Sequence, residues 1–308
     1  MRIGPKVFFA LFFLVGSPPR VVSQAGSPGF GTPAGTANIA ATATFIDILG
    51  LKIGMPAEGA LALVKSNNPT STITLQRTRD YEHAWDLNLS HDDPKKQWVY
   101  EIDVEPGANG GDKIWIGLTL PPSKQVVHSV ARHSVFKEPV AVENIVAGLR
   151  KKYGHESLGA GDKTTGVSIL DSTGNGDKWF SWVYDLQGNQ LKAESVAKIN
   201  GNCLVGPQGG MGVPDIEISR NPQYDRRPYS KDKRNPCDGF VVLSAKIMAT
   251  NAPAGINGNA IGLEVAAFNW PLVASSANAL YGFLDERARE LSNKDAQDAK
   301  KRGSDVKY

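Results

Sequence analysis

Residues 47–65 read DILGLKIGMPAEGALALVK and decide how the first half of the chain folds. A short apolar run comes first, and Gly54 then supplies a turn. Pro56 suits the first position of a helix, because its missing N–H would have no intrahelical partner there. Ala60 and Val64 follow at helical spacing on one face. The stretch therefore predicts an apolar strand, a turn and an amphipathic helix.

Beyond residue 71 the apolar pattern changes from helical spacing to alternation, which is typical of half-buried strands. Short polar segments separate the apolar ones, and such connections favour antiparallel hairpins over crossovers. The predicted strands are 72–77, 85–89, 97–104, 113–120 and 125–135. A helix followed by a run of antiparallel strands indicates an α+β fold.

A second helix-then-meander segment begins near residue 139. One helix face carries apolar side chains at Val142, Ile145, Val146, Leu149 and Tyr153. Strands are predicted after it at 166–170, 178–184 and 190–196. The same order of elements thus occurs twice, although the two segments share few residues. The pattern leaves open whether the second unit is a duplicate of the first.

The chain ends with a predicted hairpin, 239–248 and 260–270, and a helix from residue 271 to 300. The apolar stripe of this helix stops before residue 292, so we expect its last part to project or fray. The predicted fold class is α+β, with antiparallel sheets each covered by a helix and a long C-terminal helix.

The first 25 residues have the pattern of a signal peptide, with Arg2 and Lys6 before an apolar run at 7–16. That run is too short to span a bilayer, which needs about 20 apolar residues. We expect an exported protein, periplasmic or secreted, without a transmembrane span after signal removal. The predicted organisation is a signal peptide (1–25), a flexible leader (26–44), a first α+β unit (45–137), a second α+β unit with a disulfide loop (138–270) and a C-terminal helix with a frayed tail (271–308).

Removing the signal also removes the net positive charge. Arg2, Lys6 and Arg20 are three of the 34 Lys and Arg residues, which leaves 31 against 31 Asp and Glu. A formally neutral chain offers no electrostatic case for nucleic acid binding. The oligomeric state does not follow from the sequence.

Cys203 and Cys237 are the only cysteines of the chain. In an exported protein such a pair is typical of one disulfide, with a reactive thiol or a metal pair as the minority interpretation. The bond would close a loop rich in Arg and Tyr, which often anchor interfaces. The candidate binding residues are Arg220, Tyr224, Arg226, Arg227, Tyr229, Lys231, Lys233 and Arg234. An acidic protein surface or an anionic envelope polymer would fit this loop, and a solvated loop that binds nothing is the alternative.

None of the histidines lies in a recognised metal-ligand spacing. They are His83, His91, His128, His133 and His155. His128 and His133 are close in sequence, but their odd separation places them on opposite faces of a strand unless a bulge intervenes. We expect neither a metal nor another cofactor.

Catalytic and phosphate-binding motifs are equally weak. Glu101 and Asp103 share one face of a predicted strand, as a catalytic carboxylate pair would, but a surface strand explains them as well. No GxSxG nucleophile motif is present. Residues 159–164 lack the spacing of a phosphate loop. Residues 171–177 lack the twelfth-position carboxylate of a calcium loop, where Trp182 stands.

DILGLKIGM (47–55) and VENIVAGLRKKYG (142–154), with WFSWVYDLQGNQL (179–191) after it, resemble a group of uncharacterised exported bacterial proteins. The Gly-Met helix onset is also similar to that of the helix-plus-sheet modules of outer-membrane assembly lipoproteins and β-lactamase-inhibitor proteins. The resemblance implies a module that binds other proteins and catalyses nothing. The chain departs from the pattern in carrying Pro56 and Ala57 where a Ser or Thr cap is usual. It also lacks the lipobox Cys, which puts a membrane anchor in doubt.

These observations favour a non-catalytic exported binding module that recognises a protein or a polymer. The alternative is a hydrolase of an envelope polymer, whose residues converge only in the folded chain. A deep pocket lined by carboxylates or a histidine would favour the hydrolase. A broad sheet surface with aromatic side chains would favour binding.

Overall fold

Seven antiparallel strands form the main sheet of the structure, a computed structural model that describes residues 46–77, 97–108, 110–159, 176–199, 203–204, 239–250 and 258–304. The elements in chain order are β1 (Asp47–Ile48), β2 (Leu51–Lys52), α1 (Ala57–Asn67), β3 (Thr72–Arg77), β4 (Val99–Glu105), β5 (Lys113–Leu118), β6 (Val127–Ala141), α2 (Val142–Tyr153), β7 (Lys178–Tyr184), α3 (Ala193–Val196), β8 (Val241–Thr250), β9 (Asn259–Asn269) and α4 (Trp270–Ser304). Helices combined with a purely antiparallel sheet confirm the predicted α+β class.

The strand order β3-β4-β5-β6-β9-β8-β7 consists of two antiparallel meanders that join through their last strands. At the join, β6 and β9 pair from Ser129 opposite Phe268 to Val135 opposite Gly262. Strands from both predicted units therefore lie side by side in one continuous sheet.

The predicted boundary between the two units, after residue 137, falls inside β6. The sequence FKEP at 136–139 looks like a break between elements because it contains a proline and two charges. The sheet instead accommodates it as a bulge, since the pairing with β9 resumes at Val140 opposite Ala260.

β1 and β2 form a separate hairpin where the sequence predicts one strand. Its turn falls at Leu49 and Gly50, whose φ angles of 56° and 83° are both positive, as a two-residue hairpin turn requires. The Gly50 N–H donates to Asp47 Oδ1 at 3.1 Å and holds the turn. The expected turn at Gly54 is also present, and the Gly54 N–H donates to the Val127 carbonyl at 2.7 Å.

Helices α1 and α2 and the β1–β2 hairpin pack on one face of the sheet, here called the helix face. α1 buries Ala60 and Val64, and α2 buries Val142, Val146 and Leu149. Alternate strand positions supply the apolar side chains beneath them. Among these, the large side chains that are less than 2% exposed include Ile102, Ile114, Ile116, Leu118, Phe180, Trp182, Leu243 and Ile247.

The other face of the sheet, here called the opposite face, carries a second apolar cluster on strands β6 to β9. Its buried strand residues are Ala131, Trp179, Val183, Val242, Ala266 and Phe268. The side chains that pack over them include Leu158, Leu191, Val196, Ile199, Cys203, Leu204 and Trp270. The polar part of the opposite face lies beside this cluster and holds the candidate site.

Residues 190–196 do not form the predicted strand. Gln190 makes a single bridge with the end of β7, and the chain then turns into α3. Leu158 pairs with the same edge of β7 at Ser181, so two short segments share an edge that a full strand would need. The predicted strands 85–89 and 166–170 lie outside the described residues.

Helix α4 is buried in its first turns, where Val273, Ala277 and Leu280 form a small apolar cluster. Ser276 Oγ accepts the Leu120 N–H at 2.8 Å and ties the helix to the β5–β6 connection. Past Leu280, every side chain whose burial is described is at least partly exposed. Within the described ranges, no helix combines the length and the apolar composition needed to cross a membrane.

The buried strand residues should dominate stability. Ile116 is 0% exposed, whereas Ile261 is 43% exposed. Ile116→Ala should lower the free energy of unfolding by about 2–5 kcal/mol, because it removes buried methyl groups and leaves a cavity. Ile261→Ala is the matched control and should cost less than about 1 kcal/mol. Urea unfolding followed by circular dichroism measures both, and equal losses would contradict the described core.

Candidate functional site

A row of charged side chains crosses the opposite face of the sheet at right angles to the strands. The register places His133 between Lys113 and Glu264, and Glu264 between His133 and Lys246. We call this set the charged row: Glu105 (β4), Lys113 (β5), His133 (β6), Glu264 (β9), Lys246 (β8) and the flanking Asp177. Because side chains alternate between faces along a strand, all the strand members of the row point to the same side.

The β4–β5 end of the row is an exposed ion pair beside an aromatic ring. Lys113 Nζ lies 2.6 Å from Glu105 Oε1 and 4.8 Å from the centroid of the Trp115 ring. Glu105 is 47% exposed, so the pair contributes about 1 kcal/mol or less to stability. These groups are available to a partner at little energetic cost.

The β9–β8 end of the row is a connected network. His133 Nδ1 lies 2.9 Å from Glu264 Oε1, and Lys246 Nζ lies 3.8 Å from Glu264 Oε2. Lys246 Nζ also lies 3.3 Å from Asp177 Oδ2. Asp177 is only 11% exposed, and charges with less water around them interact more strongly. This end is therefore held in one geometry.

Trp179 forms the floor of that network. Its side chain is 3% exposed, and Lys246 Nζ lies 5.5 Å from the centroid of its ring. Its indole N–H is buried and has no acceptor within the part of the chain that the structure describes. Two other buried indoles differ in this respect: Trp182 donates to the Gly154 carbonyl at 2.9 Å, and Trp270 donates to the Cys203 carbonyl at 3.1 Å.

Glu101 and Asp103 lie on the opposite face, next to the charged row, and share one face of β4 as predicted. Asp103 Oδ2 accepts the Gln76 side-chain amide at 2.7 Å, while Asp103 Oδ1 is buried with no partner among the described residues. Trp115 stands opposite Asp103 on β5. The structure places these two carboxylates two residues apart on β4.

His128 and His133 have different surroundings. His133 belongs to the charged row, whereas His128 is fully buried, with Nδ1 at 2.9 Å from Ser129 Oγ. Burial lowers the pKa of His128 from 6.5 to about 3, so the imidazole is neutral in the folded protein at neutral pH. No group of three or more His, Cys, Asp or Glu side chains suited to a metal ion occurs within the described ranges.

The predicted binding loop lies outside the described residues. This applies to Arg220, Tyr224, Arg226, Arg227, Tyr229, Lys231, Lys233 and Arg234. Cys203 is described and is buried in the second apolar cluster. Its predicted partner Cys237 also lies outside the described residues, so the disulfide stays a prediction.

A cavity of about 260 Å³ opens on the helix side, between the β1–β2 hairpin, α1 and β5. Its lining residues are Leu49, Leu51, Leu63, Val64, Asn67, Asn68, Asp112 and Ile114. The one carboxylate, Asp112, is already engaged: Ser134 Oγ donates to it at 2.6 Å, and Arg132 Nε lies 2.9 Å away. This cavity holds neither a histidine nor a pair of carboxylates.

The charged row does not follow from the sequence alone. Alternation within each strand assigns Lys113, Glu264 and Lys246 to polar positions, which is the only local signal. Their proximity depends on the pairing of β6 with β9, two strands far apart in the chain. A search for opposite charges at matching positions of neighbouring predicted strands could have found the row only once the strand order was known.

The buried His128 should make the protein acid-sensitive. Below pH 6.5 the unfolded chain binds a proton at this residue and the folded protein does not, until the pH approaches 3. The free energy of unfolding should therefore fall by about 2 kcal/mol between pH 6.5 and 4.5 from this residue alone. His128→Gln should remove that part of the slope, and His155→Gln, at a side chain that is 85% exposed, is the control. Urea unfolding across this pH range would contradict the assignment if the two variants kept the same slope.

The predicted disulfide can be checked on the exported protein. Intact mass spectrometry after alkylation without reduction should show no modified cysteine, and reduction should allow two additions, at Cys203 and Cys237. Reduction should also lower the unfolding midpoint, because the cross-link restricts the unfolded chain. Two alkylated thiols before reduction would contradict the pairing.

Comparison of the chain with family models, curated proteins and solved structures found no match. The resemblance to helix-plus-sheet binding modules stays a prediction.

Proposed function

We propose that the protein is an exported, non-catalytic binding module that holds a protein or polymer partner against the charged row. The observation that carries this proposal is the row itself: carboxylates and ammonium groups alternate along it, with the imidazole of His133 between Lys113 and Glu264. Neighbouring strands lie about 4.8 Å apart, so the strand members of the row follow one another at a regular spacing. A sheet holds such a pattern better than a loop, because pairing on both sides fixes each strand.

The alternating signs suit recognition of a specific partner. A surface with one dominant sign attracts any opposite charge, whereas an alternating pattern favours a partner whose groups match it in order. At the exposed end, the ion pair of Glu105 and Lys113 can open, and each side chain can then pair with a group of the partner. The Glu264, Lys246 and Asp177 network at the other end is already organised, so binding there orders little further.

The proposal includes the two-unit origin of the fold. α1 precedes the meander β3 to β6, and α2 precedes β7 to β9, with both helices on the same face of the sheet. The two halves meet through their last strands, β6 and β9. This order supports duplication of a helix-then-meander unit, each unit with its own covering helix.

A hydrolase acting on an envelope polymer is the alternative. The observation in its favour is the half-buried group of Asp177, Glu264 and Lys246, since paired carboxylates can exchange protons with a substrate. The length of the polymer chains after incubation with the protein distinguishes the two functions. If the protein shortens the polymer and Glu264→Gln abolishes this shortening, the hydrolase is favoured. If the polymer binds and keeps its length, the binding module is supported.

Neutralising the charged row should weaken partner capture. Lys113→Gln and Glu264→Gln are each expected to reduce the partner recovered from an envelope extract at least fivefold, because each removes one charge from the pattern. Lys152→Gln is the matched control for Lys113→Gln: Lys152 pairs with Asp47 at 3.1 Å beside the helix face and is 48% exposed, against 36% for Lys113. Urea midpoints of all variants establish that they are folded.

Equal recovery with the row variants and the control would contradict the proposal. The variant Arg226→Gln, Arg227→Gln, Lys233→Gln, Arg234→Gln tests the predicted binding loop. If this variant loses capture while the row variants keep it, recognition lies on that loop instead. Binding by that loop should also fall with added salt, because exposed charges are screened.

A further inference from the structure

We infer that the charged row binds a neutral, hydroxyl-rich polymer, a polysaccharide, with its sugar hydroxyls seated at Trp179, Lys246, Asp177 and Glu264. This inference rests on the proposed function and specifies its ligand. The four side chains form one contiguous group, in which Lys246 Nζ lies 3.3 Å from Asp177, 3.8 Å from Glu264 and above the Trp179 ring.

The group around Lys246 offers both hydrogen-bond donors and hydrogen-bond acceptors to a ligand. An ammonium group only donates hydrogen bonds, and an ionised carboxylate only accepts them. Lys246 stands between Asp177 and Glu264, so a ligand atom that approaches the group meets both kinds within a few ångströms. A hydroxyl can accept from the ammonium and donate to a carboxylate at the same time. A phosphodiester group can only accept, and an ammonium group can only donate, so each satisfies only one side.

The opposite charges along the row favour an uncharged ligand. Two ammonium groups, Lys113 and Lys246, lie beside three carboxylates, Glu105, Asp177 and Glu264, and the imidazole of His133 stands between Lys113 and Glu264. The opposite charges of the row are therefore nearly balanced. Such a row repels an anionic polymer weakly and gives a polycation little attraction, whereas an uncharged ligand incurs no net repulsion.

The buried indole N–H of Trp179 has no acceptor among the described residues. A buried N–H without an acceptor is costly and rare, and it needs an explanation such as a bound molecule. Trp182 and Trp270, which are equally buried, both donate to backbone carbonyls. Among the described residues, the Trp179 indole N–H therefore has no oxygen to donate to. A sugar hydroxyl or ring oxygen provides that acceptor.

The length of the row favours a polymer over a single sugar. From Glu105 on β4 to Trp179 on β7 the row crosses five strand-to-strand steps, roughly 24 Å at about 4.8 Å each. Trp115 lies near one end and Trp179 near the other, each beside a row lysine. An extended chain of several sugar units can contact both ends at once.

Indole NMR on the full-length protein tests the inference directly. Six tryptophans give six indole N–H signals, and Trp179→Phe identifies the one of interest. Should that variant not fold, Lys246→Gln identifies it by shifting the signal of the ring beneath it. Titration with cellohexaose and hexa-N-acetylchitohexaose should move the Trp179 proton downfield, as a new hydrogen bond does, and leave Trp182 and Trp270 in place. Glu264→Gln should weaken the titrated affinity at least tenfold.

No movement of the Trp179 signal with either neutral hexamer would overturn the inference, and so would a response to oligogalacturonate alone. Uniform shifts of all six signals would indicate non-specific binding and would also overturn it. The capture experiment distinguishes failure of the saccharide assignment from failure of the proposed function. If neutral hexamers do not bind while the row variants still lose their partner, the proposed function stands and the saccharide assignment is wrong. If the row variants also capture the partner as the unmodified protein does, both are wrong.

Discussion

The pairing of β6 with β9 is the constraint on which the rest of the structure depends. It joins the two meanders into one sheet, with Ser129 opposite Phe268 and Val135 opposite Gly262. A shift of this pairing by one residue would turn every side chain of one meander to the wrong face. The apolar core on the helix face and the charged row on the opposite face would be lost together.

Close packing around Gly262 helps to hold that register. A Cβ at this position would lie 2.1 Å from Met248 Cε and 2.7 Å from the Ser134 carbonyl oxygen. The methionine end can move aside, but the backbone carbonyl cannot, so only glycine allows β6, β9 and β8 to approach this closely. The same approach brings Glu264 between His133 and Lys246. The geometry of the candidate site is therefore a consequence of core packing.

Local signals were enough to predict much of the fold. Alternation marked β3 and β7 at the residues where the structure has them, and the apolar face of α2 was read correctly. What local signals could not supply was the partner of each strand. FKEP at 136–139 looked like a boundary because proline and charge usually end an element, yet a bulge absorbs it. The charged row was missed for the same reason, since its members come from five strands whose order only tertiary packing decides.

The most direct measurement is carboxylate footprinting of the protein with and without its captured partner. Glu105 is an exposed carboxylate of the row, while Glu58 on α1 and Glu143 on α2 are exposed on the helix side. Carbodiimide labelling followed by mass spectrometry reports each of them separately. We expect labelling of Glu105 to fall in the complex and labelling of Glu58 and Glu143 to stay the same. Protection of Glu58 and Glu143 with Glu105 unchanged would contradict recognition by the charged row.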